Sequence, residues 1–327
     1  MSADMISDTP SRTYRNWGIP AIVALIFVAA AVAAPSVFYP VFLMNALCFA
    51  LFASAFNLLL GYAGLLSFGH AAFFGSAAYV TGYMTKVVGL SPEVAILTAV
   101  GLSSALGALF GVLALRRQGI YFAMITLAAS QLVYFCFTQA STLGGENGLQ
   151  DVPRGYLFGV VDLSVMSNMY FFVLIVTVLG LLAIWQIVTS PYGRILMAIR
   201  DNEQRAISLG YKVFHHKMIA FTLSAGFSGL AGSLKCLVFQ FASLTDLQWV
   251  TSGEAIFMTL IGGIGTMLGP VVGAFILVSM QTYLAQFGSW VIMIQGMAFI
   301  LFALLLRRGL VGSISAGVQK LLNRTVT

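Results

Sequence analysis

Residues 17–85 read WGIPAIVALIFVAAAVAAPSVFYPVFLMNALCFALFASAFNLLLGYAGLLSFGHAAFFGSAAYVTGYMT and contain no Asp, Glu, Lys or Arg. A charged side chain at the centre of a bilayer costs about 2.5–3.5 kcal/mol on insertion scales. A second long run, 255–306, is equally free of charge. Shorter uncharged runs lie at 94–115, 118–145, 163–193 and 218–234. This distribution indicates a polytopic membrane protein.

Composition supports the same class. Only 8% of the 327 residues are charged, 60% are hydrophobic, and the mean hydropathy is +0.96. A soluble domain carries roughly a quarter charged residues. The apolar runs are continuous rather than alternating, and helices satisfy their own backbone hydrogen bonds in lipid. The predicted fold class is therefore all-α, a polytopic membrane helix bundle.

The lengths of the apolar runs predict ten transmembrane helices, since one crossing needs about 20 apolar residues. The predicted crossings are 18–35, 40–60, 66–85, 93–115, 119–139, 168–189, 216–238, 251–265, 268–286 and 289–306. Three crossings in the last run place both termini in the cytoplasm. Of the 16 Lys and Arg, all but Lys86, Arg154 and Lys235 then lie inside, as the positive-inside rule requires. A re-entrant pair near 254–270 is the alternative for that region.

This topology divides the chain into three parts. Residues 1–16 form a cytoplasmic N-terminal tail, 17–308 the transmembrane domain, and 309–327 a cytoplasmic C-terminal tail. Two connections are long: an external loop at 140–167 and a cytoplasmic segment at 190–216, which we call the coupling segment. The net charge of +6 does not indicate nucleic-acid binding, because the basic residues separate apolar runs.

The coupling segment contains YGRILMAIRDNEQRAISLGY at 192–211, which predicts a short amphipathic helix that Gly210 terminates. One interpretation is a solvated linker that obeys the positive-inside rule. The other is a helix that docks on a soluble partner, because Asp201 and Glu203 add nothing to membrane anchoring. The candidate contact residues are Arg194, Arg200, Asp201, Glu203, Arg205, Ala206 and Gly210.

A second set of residues either lines a path or packs helices together. His70 is interpreted either as part of a polar path or as a bundle-facing histidine bonded to neighbouring backbone, and the latter is favoured. Gly265, Gly269 and Gly273 repeat at the small-xxx-small interval, which predicts a flat helix side. Glu254 is interpreted either as an interfacial helix cap or as part of a proton relay, and the cap is favoured. The full set is Asn57, Ser67, His70, Gly75, Thr126, Gln131, Gly262, Gly265 and Gly269.

Several kinds of site are missing from the sequence. No GxxxxGK[ST] nucleotide motif and no HExxH motif occurs, and the three cysteines lie in or beside apolar runs without a CxxC pair. No cofactor is therefore predicted. The chain is expected to form a pathway without an energy source of its own, so a partner supplies the energy or transport is passive.

Five segments in order resemble the LivM-type permeases, membrane subunits of bacterial ABC importers for branched-chain amino acids. They are NLLLGYAGLLSFGHAAFFGSAAYV (57–80), GIYFAMITLA (119–128), GGENGL (144–149), SPYGRILMAIRDNEQRAISLGY (190–211) and EAIFMTLIGGIGTMLGPVVGA (254–274). The similarity extends from about residue 40 to 308. In the coupling segment, Glu203-x-x-Ala206-x-x-x-Gly210 is similar to the permease EAA-type motif, with Gln204 in place of its first Ala.

The resemblance implies partners and a mechanism. It implies a second, LivH-like permease, two cytoplasmic ABC ATPases, a periplasmic substrate-binding protein and an inner-membrane location, with transport by alternating access. The chain itself is then not an enzyme. Related permeases serve branched-chain amino acids, urea, amides or aromatic acids, so the substrate stays open. The alternative function is an autonomous channel or secondary carrier for a small polar solute.

Overall fold

The computed structural model describes residues 39–288, 290–305 and 309–310. The predicted first crossing at 18–35, the N-terminal tail and nearly all of the C-terminal tail lie outside these residues. The helices are α1 (Pro40–Asn57), α2 (His70–Lys86), α3 (Pro92–Ala114), α4 (Ile120–Gln139), α5 (Met166–Thr189), α6 (Pro191–Asp201), α7 (Glu203–Ser208), α8 (Val213–Phe239), α9 (Trp249–Gly262), α10 (Gly269–Leu284) and α11 (Trp290–Leu305).

Close contacts show how the helices alternate in direction. Gly262 of α9 abuts Gly269 of α10, and Gln281 near the far end of α10 bonds to Glu254 near the start of α9. At the other side of the bundle, Gly111 near the end of α3 contacts Met218 near the start of α8. We call the end that carries α6, α7 and the α3–α4 turn the basic end, because Arg116, Arg117 and the arginines of 194–205 lie there.

Helix α1 forms the centre of the bundle. It is apolar all round and almost every residue from Leu43 onward is buried, which is typical of a core helix. It continues without a break into a π-helical turn, Leu58–Ala63, that ends at Gly64 with φ +70°. Such π-turns are rare and often occur at functional sites.

Helix α8 packs extensively against α3, α2 and α1. Small residues on α8 make this possible. A Cβ at Gly232 would overlap the backbone carbonyl of Phe74 in α2, and a Cβ at Gly229 would overlap the side chain of Ser103 in α3. Helices associate in lipid by this close approach of backbones, since there is no hydrophobic driving force between them.

The outer faces of the bundle are apolar and exposed. Leu97 on α3, Met124 on α4 and Leu179 on α5 are each more than half exposed. An exposed apolar surface that extends over three helices is not found on a soluble monomer and is expected for a protein surrounded by lipid. Within the described residues, six helical segments are long and apolar enough to span a membrane: 40–63, 92–114, 120–139, 166–189, 213–239 and 269–287.

The remaining predicted crossings are shorter in the structure. Helix α2 begins at His70 instead of residue 66, and α9 has 14 residues, a length of about 21 Å. The turn after α9 comes at Gly263, as the glycines of that region predict. Helices α9, α10 and α11 nevertheless run alternately between the two ends, and Gly309 contacts Gly263.

The end opposite to α6 carries the loops 140–165 and 240–248. The described residues are mostly helical, as predicted, and Tyr156–Leu157 pairs with Val161–Asp162 in one small antiparallel hairpin. A β-bridge between Leu149 and Ala242 joins the two loops. Arg154 donates to the carbonyls of Leu237 and Val238 and so caps the C-terminus of α8, a favourable place for a cation.

Candidate functional site

The coupling segment is built from two helices, and the prediction of one amphipathic helix over 192–211 is wrong. Helix α6 ends at Asp201, and Asn202 adopts an extended conformation with φ −158° and ψ 99°. The Asn202 side chain accepts a hydrogen bond from the amide of Arg205 at 2.9 Å, which caps α7. Asn202 therefore interrupts the helix because its side chain offers the backbone an alternative hydrogen bond.

A small core of its own holds the coupling segment in place. Ile199 of α6, Ala206 of α7 and Val213 of α8 are buried together, with Ile195 packed against them. Gly210, just after the end of α7, has φ +86°, as its predicted role in terminating a helix requires, and Tyr211 donates its amide to the carbonyl of Ala206. The two helices are thus a folded unit, not a solvated linker.

Two polar side chains attach this unit to α8. The hydroxyl of Tyr192 donates to the carbonyl of His216 at 2.7 Å, and burial raises the pKa of this phenol well above its usual range, so Tyr192 stays neutral. Glu203 forms an ion pair with Lys217, whose side chain is only 8% exposed. The structure therefore places the Glu203 carboxylate against this chain's own α8, whereas Arg194, Asp201 and Arg205 are exposed on the surface.

Arg200 connects the coupling segment to the centre of the bundle. Its guanidinium donates to the carbonyl of Gly61, in the π-helical turn, and to the carboxylate of Asp201 at 3.0 Å. Its aliphatic stem covers Gly64, where a Cβ would lie 2.7 Å from the Arg200 Cγ. Gly61 lies in the last turn before this helix ends, where carbonyl groups lack an intrahelical donor, so the guanidinium supplies a strong charge-assisted partner.

Asn57 holds the turn between α9 and α10 at the same place. Its amide nitrogen donates to the carbonyl of Thr266 at 2.9 Å, and its oxygen accepts from the amide of Gly265 at 2.9 Å. A Cβ at Gly61 would lie 2.7 Å from the Gly265 nitrogen, so the two backbones touch. We call Asn57, Gly61, Arg200, Gly265 and Thr266 the basic-end junction. It joins α1, the coupling segment and the α9–α10 turn.

Residues 64–69, between the π-helical turn and α2, form irregular backbone inside the bundle. Irregular backbone at membrane depth is tolerated only where protein buries it and supplies its hydrogen bonds. Here the amide of Phe68 donates to the hydroxyl of Thr126 at 3.1 Å, and the amide of Gly69 donates to Ser67 at 3.1 Å. Ser67 and Thr126, both predicted from sequence as path or packing residues, are fully buried and stabilise this irregular segment.

Ser252 completes the same network and was not among the predicted residues. Its hydroxyl donates to the carbonyl of Phe68 at 2.9 Å and accepts from the amide of Ala71 at 2.8 Å. One serine on α9 thus satisfies two backbone groups around the start of α2. A single serine near a helix start carries no sequence signal of this role.

Replacing Ser252 with Ala is expected to lower the free energy of unfolding by about 1–3 kcal/mol, because two buried backbone groups lose their partner. Thermal unfolding of the purified protein in detergent measures the change. Ser279→Ala is the control, since within the described residues that hydroxyl bonds only to the carbonyl of Phe275 one turn earlier in its own helix. Equal effects of the two substitutions would contradict the role of Ser252.

His70 lies at the first position of α2 and is fully buried. Its Nε2 lies 2.8 Å from the hydroxyl of Ser224, and that hydroxyl donates to the carbonyl of Ala55 in α1. The rings of Phe56, Phe73 and Phe221 surround it. His70 therefore faces the bundle, as favoured from sequence, but its partner is a serine hydroxyl rather than backbone.

The remaining predicted residues have packing positions. Gly75 leaves room for Leu247 of the 240–248 loop, and Gly262 touches Gly269. Gln131 on α4 is half-buried, and its side-chain nitrogen has no hydrogen-bond partner in the described part of the chain. The prediction that Gly265, Gly269 and Gly273 share one flat helix side is wrong, because Gly265 lies in the turn with φ +74°.

The predicted interfacial cap at Glu254 is also wrong. Helix α9 begins at Trp249, so Glu254 lies inside it, and its carboxylate accepts a hydrogen bond from Gln281 of α10 at 2.8 Å.

Comparison with known proteins places the whole bundle in one family. Residues 38–306 match the model of the branched-chain amino acid transport system permease component family. The chain belongs to this family. It is 27% identical over 277 residues to the high-affinity branched-chain amino acid transport system permease protein LivM of Salmonella typhimurium and, to the same extent, to that of Escherichia coli. Each alignment covers 78% of this chain, which spans 65% of the relative's length.

The chain is also similar, over a shorter stretch, to permeases of another import system. The chain is 28% identical over 218 residues to the autoinducer 2 import system permease protein LsrC of Salmonella typhi, covering 64% of this chain and 60% of that protein. Among solved structures, PsaBC from Streptococcus pneumoniae in complex with Fab aligns with a TM-score of 0.42 at 16% identity, over 84% of this chain and 95% of that one.

Proposed function

We propose that this chain is the membrane-spanning permease subunit of an ABC importer in a bacterial inner membrane. It forms part of the translocation path for branched-chain or related amino acids and crosses the membrane ten times, with both termini in the cytoplasm. A second, LivH-like permease, two cytoplasmic ATPases and a periplasmic binding protein complete the transporter. Family membership over residues 38–306 supports this proposal.

The observation that carries the proposal is the exposed surface of the coupling segment. The second half of the segment exposes a group of apolar side chains, of which Leu209 is 69% exposed, and Arg205 and Lys212, beside them in sequence, are exposed as well. The apolar group is Ile207, Leu209, Tyr211 and Phe214. A short helix followed by a turn, with exposed apolar anchors and charges nearby in sequence, has the properties of an element that docks in a groove of a soluble protein.

The basic-end junction gives this docking surface a mechanical role. Arg200 and Asn57 join the coupling segment to α1 and to the α9–α10 turn, so a displacement of α6 acts on the bundle centre directly. ATP-driven closure of the ATPases biases the bundle between two states only if the docked segment makes different contacts in each. At the opposite end, the bridged loops 140–165 and 240–248 form the platform for the binding protein.

Replacing Leu209 with Asp is expected to detach the ATPases. A charge at a position that the interface buries costs binding free energy, so the amount of ATPase that stays bound should fall roughly tenfold or more. The measurement is co-purification of the ATPase with this chain after co-expression of the transporter subunits. Val160→Asp is the control, as Val160 is 83% exposed at the opposite end. If Leu209→Asp retained as much ATPase as Val160→Asp, the docking surface would lie elsewhere.

A further inference from the structure

A polar cavity of about 510 Å³ lies at the end of the bundle opposite to the coupling segment. Helices α1, α8, α9 and α10 and the 240–248 loop surround it. Ionisable side chains from three of these elements line it: Lys235, Asp246 and Glu254. Aromatic and aliphatic surface lines it as well, including Phe239 and Val250, which are 42% and 49% exposed.

Lys235 and Asp246 form a largely buried ion pair in this cavity. The Lys235 Nζ lies 2.6 Å from the Asp246 Oδ1, and the two side chains are 18% and 8% exposed. The Nζ also lies 4.9 Å from the ring centroid of Phe49. A buried pair of this kind contributes little net stability because both ions lose hydration. Stability alone therefore does not explain why these two ions line the cavity.

Glu254 adds a second carboxylate to the same cavity. One of its oxygens accepts a hydrogen bond from Gln281 at 2.8 Å, which fixes the direction of the side chain. With one cation and two carboxylates, the ionisable groups of the lining favour a ligand that carries an ammonium group. Lys235 has three donors, and Asp246 accepts from one of them, so it can also bind a carboxylate.

We propose that this cavity is a subsite of the translocation path that binds a zwitterionic amino acid with an apolar side chain. The ammonium group lies at Glu254, the carboxylate at Lys235, and the side chain against Phe239 and Val250. The inference deepens the proposed function and rests on it for the direction of transport. It also distinguishes amino acids from the other substrate classes of related permeases, namely urea, amides and aromatic acids.

An aromatic acid or other anion lacks the ammonium group and meets a lining with an excess of carboxylates. Urea or an amide has no ammonium group to offer Glu254, so the carboxylate of Glu254 stays desolvated without a counter-charge, while Lys235 keeps only its pairing with Asp246. Sites built around buried polar groups reject such analogues strongly.

Protection of an introduced cysteine tests the subsite in membranes that contain the full chain without nucleotide. The reporter is Val250→Cys in a Cys136→Ala background, because Cys48 and Cys236 are buried and Cys136 is exposed. Leucine is expected to slow maleimide labelling of the reporter. Isocaproamide, the neutral analogue without the ammonium group, and isocaproate, the anionic analogue, are expected to leave the labelling rate unchanged.

Glu254→Gln is expected to raise the leucine concentration for half-protection by roughly tenfold or more, since a hydrogen bond to a charged group is lost. Asp151→Asn is the matched control, an exposed carboxylate outside the cavity. The double variant Lys235→Met, Asp246→Leu replaces the ion pair by apolar groups of similar size and is expected to abolish protection. Unliganded labelling rates and gel-filtration profiles equal to the parent establish that each variant is folded.

Equal protection by isocaproamide, or protection that neither cavity variant changes, overturns the subsite. The assay needs no ATPase, so its failure is distinct from failure of the proposed function. If leucine protects but the ATPase does not depend on Leu209, the docking proposal fails alone. If docking is intact and leucine does not protect, the cavity proposal fails alone.

Discussion

Gly232→Ala is expected to destabilise the folded chain strongly, although Ala is the better helix former by roughly 1 kcal/mol. The added Cβ would overlap the carbonyl oxygen of Phe74, which is backbone and cannot rotate away. Helices α2 and α8 would have to separate along their contact. Overpacking of this kind costs about 1–3 kcal/mol and occasionally more.

The matched control is Gly101→Ala, at a helical glycine of α3 whose added Cβ meets nothing within 4 Å. There the propensity gain is unopposed, so the free energy of unfolding should stay unchanged or rise. The thermal midpoint of each variant in detergent, followed by gel filtration after heating, measures both effects. Changes of the same sign and size in the two variants would show that the close α2–α8 approach is not present.

Arg200→Met is expected to uncouple transport from ATP hydrolysis while the ATPases stay attached. The substitution keeps the stem that covers Gly64 but removes the donor to the Gly61 carbonyl. Force on α6 then no longer reaches the π-helical turn through a charge-assisted bond. Coupling free energies of about 1–3 kcal/mol correspond to factors of 5–150, so amino acid uptake per ATP should fall roughly tenfold or more.

Arg194→Met is the control for Arg200→Met, because it removes the same charge from the exposed side of the same helix. Uptake, ATP hydrolysis and co-purified ATPase are measured together in reconstituted transporters. An Arg200 variant that loses the ATPase would be a docking variant, and the junction would have no transmitting role. A variant with normal uptake per ATP would show that the basic-end junction does not couple α6 to transport.

Much of the fold follows from the sequence because lipid forbids charges and unpaired backbone. The uncharged runs locate helices α1, α3, α4, α5 and α8 to within a few residues of their observed ends. The glycines at 144, 145 and 148 have positive φ, a conformation that glycine favours in tight turns. Gly210 follows the end of α7, where the sequence predicts the end of a helix. These features depend on residues that are close in sequence, so the local sequence pattern is enough to predict them.

The coupling segment shows where local pattern fails. Its apolar spacing predicts one helix, but the capping side chain of Asn202 divides it in two. The charge of Glu203 is typical of a contact with a partner protein, but its carboxylate is paired with Lys217, fourteen residues away. The distribution of charge predicts that Lys235 lies on the outer side. It does not predict that Lys235 pairs with Asp246 on the following loop.

The amino-acid sequence is enough to predict the uncharged helices, the basic end and the amphipathic character of the coupling segment, because each depends on side-chain transfer free energies along the chain. Which groups meet across 139 to 209 residues depends on the tertiary structure. It joined Arg200 to Gly61, Asn57 to Thr266, and Ser252 to Phe68. Inside a membrane every irregular backbone group needs a partner, and only the packing of distant helices determines which side chain supplies it.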